Sequence, residues 1–145
     1  MPDTYLGFDF GLRRIGVAAG QRITASASPV DTLRADDGEP DWSRLDSIVA
    51  DWKPSALVVG IPLLTDGKPQ PMTRRARRFA EHLRTRYRLP VHEADERLSS
   101  RAARELIADG RAAGARGRTR KGDLDRIAAT LILEHWLQAD AHDAD

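Results

Sequence analysis

The chain has 145 residues, of which 41% are hydrophobic and 31% charged, with a formal net charge of +1. That size and balance suit one soluble globular domain. There is no cysteine, which excludes a disulfide framework and a thiolate site. No apolar run approaches the roughly 20 residues that span a bilayer, so no membrane association is expected. Residues 1–4 lack a signal-peptide layout, and a cytoplasmic location is the simplest expectation.

The charges are unevenly placed. Basic residues crowd 74–88 and 111–121, while acids crowd 31–51 and 140–145. A near-neutral total can therefore hide a basic face suited to nucleic acid. Arginine far outnumbers lysine, of which there are three. Phosphate recognition would favour that bias, but GC-rich coding is the preferred explanation.

In chain order, residues 5–20 come first. Leu6, Phe8 and Phe10 alternate with Gly7, Asp9 and Gly11, a strand pattern with a carboxylate near its end. Gly11 opens a tight turn, and residues 15–19 return as the second strand of a hairpin. An aspartate at the mouth of a buried strand, beside glycines, suits a metal or a phosphate. It equally suits a turn. Residues 21–30 read as a third, edge-like strand ending at Pro29, and 31–41 as a loop. Trp42, Leu45, Ile48, Val49 and Trp52 recur at helical spacing, predicting a helix over 41–52 that Lys53-Pro54 stops. Core packing is the expectation for both tryptophans.

Residues 56–61 form a short continuous apolar run, as expected of a parallel strand covered on both faces. After a loop over 62–71, Met72, Ala76, Phe79, Ala80 and Leu83 make an apolar stripe on a long helix to about Tyr87. Its other faces carry Arg74, Arg75, Arg77, Arg78, Arg84 and Arg86. Residues 89–93 predict a brief strand, followed by Asp95 and Glu96. Ser99 or Ser100 would cap a helix over Ala102, Ala103, Leu106 and Ile107, stopped by Gly110. Residues 112–122 predict a mobile loop, and Asp123 caps a last helix to about Ala139. There is no internal repeat or boundary, so residues 1–139 make one domain and 140–145 an acidic tail.

The order of elements predicts an α/β fold. It has a five-stranded mixed sheet, antiparallel over the first three strands and parallel in the remainder, with helices on both faces.

The acids of interest stand at element ends. Asp9 ends the first strand, Asp95 and Glu96 follow the fifth, and Asp125 lies in the first turn of the last helix. Positions 125, 129, 132 and 136 share a helical face, and Ala129, Ile132 and Trp136 are apolar, so Asp125 points toward the sheet. A carboxylate there costs free energy unless paired or bound to a cation. The alternative is an acid favoured by the helix dipole. Three converging carboxylates would make an oxygen-rich site for magnesium or manganese. Two such ions, about 3.5–4 Å apart, can activate a water and stabilise the leaving oxygen of a phosphodiester. Arg14, Arg97, Arg118, Arg120 and Lys121 could hold neighbouring phosphates. A zinc site is poorly supported, because His82, His92, His135 and His142 have no paired ligand spacing. Each reads as a surface or packing histidine.

Four stretches carry a resemblance: Asp9-Phe-Gly-Leu-Arg-Arg-Ile-Gly-Val-Ala18; Val58-Val-Gly-Ile-Pro62 with Asp66-Gly67; Asp95-Glu-Arg-Leu-Ser-Ser100; and Asp125-Arg-Ile-Ala-Ala-Thr-Leu-Ile-Leu133. Together they resemble the YqgF/RuvX family, in its order and spacing and over nearly the whole chain. The resemblance implies an RNase H-like fold related to the Holliday junction resolvase RuvC. It also implies a metal-dependent nuclease acting on structured RNA, at the 5′ end of pre-16S ribosomal RNA. Some members are described instead as resolvases of branched DNA. Asp9, Glu96 and Asp125 match the family's acidic positions, implying both catalytic and metal-holding roles, and Arg14 and Arg97 match its motif arginines. Ser99-Ser100 stands where the family motif has two threonines. RuvC takes its second acid from the end of the fourth strand, which here ends Val59-Gly60-Ile61, so Glu96 must supply it from another strand end. A monomer or a homodimer is expected.

Two other classes compete. Sugar kinases and actin hold phosphate with a similar hairpin but close two such domains around ATP, and this chain has one. A non-catalytic nucleic-acid-binding regulator would use the arginine helix equally well, but would not need carboxylates that repel phosphate.

Overall fold

The computed structural model describes residues 3–96 and 121–143. The elements are β1 (Thr4–Asp9), β2 (Arg14–Gln21), β3 (Ser26–Asp36), β4 (Glu39–Pro40), α1 (Trp42–Trp52), β5 (Ala56–Ile61), α2 (Pro71–Tyr87), β6 (Val91–Asp95) and α3 (Lys121–Asp143). Among the described residues they build one sheet of six strands in the order β4-β3-β2-β1-β5-β6. The first three pair antiparallel, and β1, β5 and β6 run parallel. The mixed sheet is the expected one, but it has six strands rather than five.

The extra strand lies within 31–41, which the sequence predicts as a loop. Asp37 and Gly38 both have positive φ, 50° and 89°, the backbone of a tight two-residue hairpin turn. The turn lets β4 pair with Ala35 and Asp36. β3 is likewise displaced from the expected 21–30 to Ser26–Asp36, because residues 22–25 form a turn with Ala25 at φ 51°. Pro29 is tolerated because β3 pairs with β4 only at its far end and is otherwise open along that side.

Two apolar layers sandwich the sheet. On one face Leu6, Phe8, Ile15, Leu33, Leu57 and Val59 pack beneath α1 and α2. On the other, Ala18 and Val58 pack beneath Ala129, Ile132 and Leu133 of α3. Continuous burial of β5 follows, as its unbroken apolar run requires. Asp41 caps α1 by accepting from the Arg44 amide at 3.3 Å, and Lys53 ends it in the left-handed region. Trp42 packs partly against the core, whereas Trp52 is 42% exposed, against expectation. α2 starts at Pro71, where the absent N–H costs nothing. It buries Ala76, Phe79, Ala80 and Leu83 and leaves its arginines outside.

β6 is shifted two residues from the expected 89–93, so Asp95 closes the strand and Glu96 follows directly. The helix expected after Ser99 and most of the loop expected over 112–122 lie outside the described residues. α3 starts at Lys121, so Asp123 lies in its first turn rather than capping it. It extends beyond Ala139 to Asp143, so part of the expected acidic tail is helical, and Asp140 pairs with Arg22 at 2.6 Å. No helix among the described residues is long and apolar enough to cross a membrane.

Candidate active site

β1, β5 and β6 are parallel, so their C-terminal ends share one edge of the sheet. Antiparallel β2 begins at that edge, and α3 lays its first turns over the same place. Asp9, the last residue of β1, alternates with Phe8 and Phe10, which face the α1–α2 core. Its side chain therefore lies on the α3 face. Glu96 follows the end of β6 with its Oε2 buried.

These two carboxyls meet. Burial pushes the Asp9 carboxyl well above the usual range, and the charge of Glu96, a hydrogen bond with Glu96 and the charge of Asp125 push it further the same way. Glu96 thus reaches Asp9 from a different strand end. Burial also raises Asp125, opposed by Arg14 and Arg126.

Asp125 points toward the sheet, as the apolar face of α3 requires. There its Oδ2 accepts from Nε of Arg14 at 2.9 Å. Ala129 and Ile132, further along the same face, are fully buried. Close approach of α3 depends on Gly16. A Cβ there would lie 2.0 Å from the Asp125 carbonyl oxygen and 3.1 Å from the Arg126 nitrogen. Gly16 is the register partner of Asp9, so this contact sets Asp125 beside the end of β1.

The expected residues are only partly gathered. Asp9 and Glu96 are in contact and Asp125 acts on Asp9 through its charge, yet among the described residues no three His, Asp or Glu side chains stand at metal-ligand spacing. Arg14, expected to hold substrate, pairs with Asp125. Arg97, Arg118 and Arg120 lie outside the described residues, and Lys121 is the first residue of α3. His92 is a packing histidine: it stacks on Trp136 with ring centroids 4.6 Å apart.

Two contributors escape sequence reading. Arg126 reaches Thr32 Oγ1 on β3 at 3.3 Å and pairs with Asp123. The i,i+3 spacing from Asp123 is its one sequence signal. Gly16 is the other: the space beside it is filled by the backbone of α3.

The donor set suits a hard divalent cation. All three groups offer carboxylate oxygen, and two of them are packed together where like charges repel. A cation bound by them would relieve that repulsion.

A sheet of this order, with helices on both faces and carboxylates brought to neighbouring element ends, defines an RNase H-like fold. Solved structures share the fold: RuvC of T. thermophilus with a Holliday junction substrate (TM-score 0.54, 15% identity, 95% of each chain covered) and the yeast mitochondrial Holliday junction resolvase Ydc2 (TM-score 0.54, 9% identity, 96% of this chain and 80% of that one). The RuvX family model, described as Holliday junction resolvase, matches residues 3–139. A relative from Legionella pneumophila strain Philadelphia 1 is 48% identical over 134 residues, covering 92% of this chain and 94% of the relative. One from Pseudomonas putida is 49% identical over 135 residues, with the same coverage. Both bear the name "Putative pre-16S rRNA nuclease". The chain belongs to the RuvX family, and its class is that of a phosphodiester-hydrolysing enzyme.

Proposed function

We propose that this protein is a divalent-cation-dependent nuclease that hydrolyses phosphodiester bonds while processing the 5′ end of pre-16S rRNA, with Asp9, Glu96 and Asp125 as its catalytic carboxylates. The observation that carries the reading is the contact between Asp9 and Glu96 at two strand ends, with Asp125 close enough to act on Asp9. A binding module has no use for such a cluster, since it would repel phosphate. The RNA substrate rests on the names of the relatives.

Asp9 and Glu96 would hold Mg2+ or Mn2+ jointly, two ions being the expected number, and Asp125 would join them from the far side. When bound, the cation supplies activation of a water and stabilisation of the leaving oxygen. The chain's own residues do the rest. The strand ends fix Asp9 and Glu96 on a rigid sheet, where placement is more exact than on a loop. Arg14 orients the Asp125 carboxylate through a charge-assisted hydrogen bond. The same guanidinium lies beside the carboxylates, where it can turn its remaining donors to a phosphate oxygen. The buried Ala129 and Ile132 keep water from beneath the site.

The family description favours a second reading, resolution of four-way DNA junctions. Incubating the protein and Mn2+ with a labelled RNA carrying the 16S 5′ leader, beside a labelled four-way DNA junction, separates the two. RNA cleavage that is lost in Asp9→Asn supports the rRNA reading. Cleavage of the junction alone overturns it in favour of the second.

A further inference from the structure

Arg14 and Arg34 are register partners on β2 and β3. Directly opposed residues of an antiparallel pair put their side chains on one face of the sheet. Here that is the active-site face, because Asp9 pairs with Gly16 and Gly16 with Thr32 two residues along. The intervening partners, Ile15 and Leu33, are buried in the opposite layer.

Two like charges set directly opposite each other oppose folding. Asp125 offsets one of them, since it pairs with Arg14. Arg34 is exposed and makes no ion pair among the described residues. Most other arginines among the described residues differ: Arg44 takes Asp31, Arg86 takes Asp46 and Arg126 takes Asp123. Arg126 also touches Thr32, bringing a third guanidinium to this flank. A cation kept without a carboxylate, across from another cation and beside a nuclease site, is suited to an anion that arrives with substrate.

We propose that Arg34, together with Arg14, forms a seat for a backbone phosphate next to the scissile one, so that the nucleic-acid strand leaves the carboxylates across β2 and β3. The seat rests on the nuclease reading above. A guanidinium grips phosphate through paired N–H donors, and no ion pair of Arg34 must break first. The contact reads no base, so it positions the strand without selecting its sequence.

The test uses the full chain carrying Asp9→Asn, which allows binding without cleavage, and a labelled RNA titrated over a range of salt. Adding Arg34→Ala should weaken binding about tenfold and reduce the slope of log affinity against log salt by about 1. Arg34→Lys should restore most of the slope. Arg88→Ala removes an exposed arginine just beyond the C-terminal end of α2, at the opposite end of the sheet, and should leave the slope unchanged. An unchanged slope for Arg34→Ala, or an equal loss for Arg88→Ala, overturns the seat. If Arg34→Ala lowers the slope while the unsubstituted protein cleaves nothing, the seat stands and the nuclease reading fails.

Discussion

Arg14 donates through Nε to Oδ2 of Asp125 at 2.9 Å, joining the start of β2 to the second turn of α3 across 111 positions of sequence. The arginine is 38% exposed and the aspartate 21%, so the pair adds little to stability and much to orientation. Arg14→Ala should lower RNA cleavage by roughly 10–100-fold and shift stability by less than about 1 kcal/mol. Initial rates and thermal melts on the same preparation check both. A large loss of stability would recast the pair as a structural tie.

Asp9 gives a pH signature in EDTA. Its folded pKa is raised by burial first and by Glu96 next, so the folded state binds the proton more tightly than the unfolded chain does. Stability therefore falls as pH rises from the ordinary carboxylate value of 3.8 through the raised folded value. Asp9→Asn should melt higher than the unsubstituted chain at pH 7, by about 2–4 °C for each kcal/mol relieved. The gain should vanish at pH 3, where Asp9 is protonated in both states. Adding Mn2+ should raise the melting temperature of the unsubstituted chain and not that of Asp9→Asn.

Glu96 and Asp95 are neighbours with different surroundings. Asp95 pairs with Ile61 at the end of β6 and is exposed, while Glu96 bonds Asp9. Glu96→Gln should abolish cleavage and Asp95→Asn should retain most of it. The reverse result in single-turnover assays would move the second carboxylate to Asp95.

Gly16 tests the closeness of α3. An alanine Cβ 2.0 Å from a backbone oxygen has no flexible neighbour to displace, so the helix must shift. Gly16→Ala should cost about 1–3 kcal/mol and, by moving Asp125, reduce cleavage further than the lost stability explains. Denaturant unfolding beside cleavage rates separates the two effects.

The mixed sheet, antiparallel then parallel, was legible because the apolar run at 56–61 and the hairpin at 5–20 each have one physical solution. Asp125 was legible too, since Ala129 and Ile132 show which way its helix face turns. β4 was not, because two residues carry no periodicity. Asp37-Gly38 alone signalled its turn. Arg34 stayed hidden for a related reason. With β3 placed five residues early, nothing set Arg34 opposite Arg14. Contact between Asp9 and Glu96 depends on how β6 sits beside β5 and on the strand ending at Asp95, which short apolar runs leave open by a residue or two.

Cleavage of a labelled 16S leader RNA by the unsubstituted chain and by Asp9→Asn, each with Mn2+ and with EDTA, probes the carboxylate site most directly. The expected result is cutting by the unsubstituted chain with Mn2+, falling roughly 100-fold or more in EDTA and in Asp9→Asn. Cutting that survives in Asp9→Asn at the unsubstituted rate would contradict a catalytic centre built on Asp9, Glu96 and Asp125.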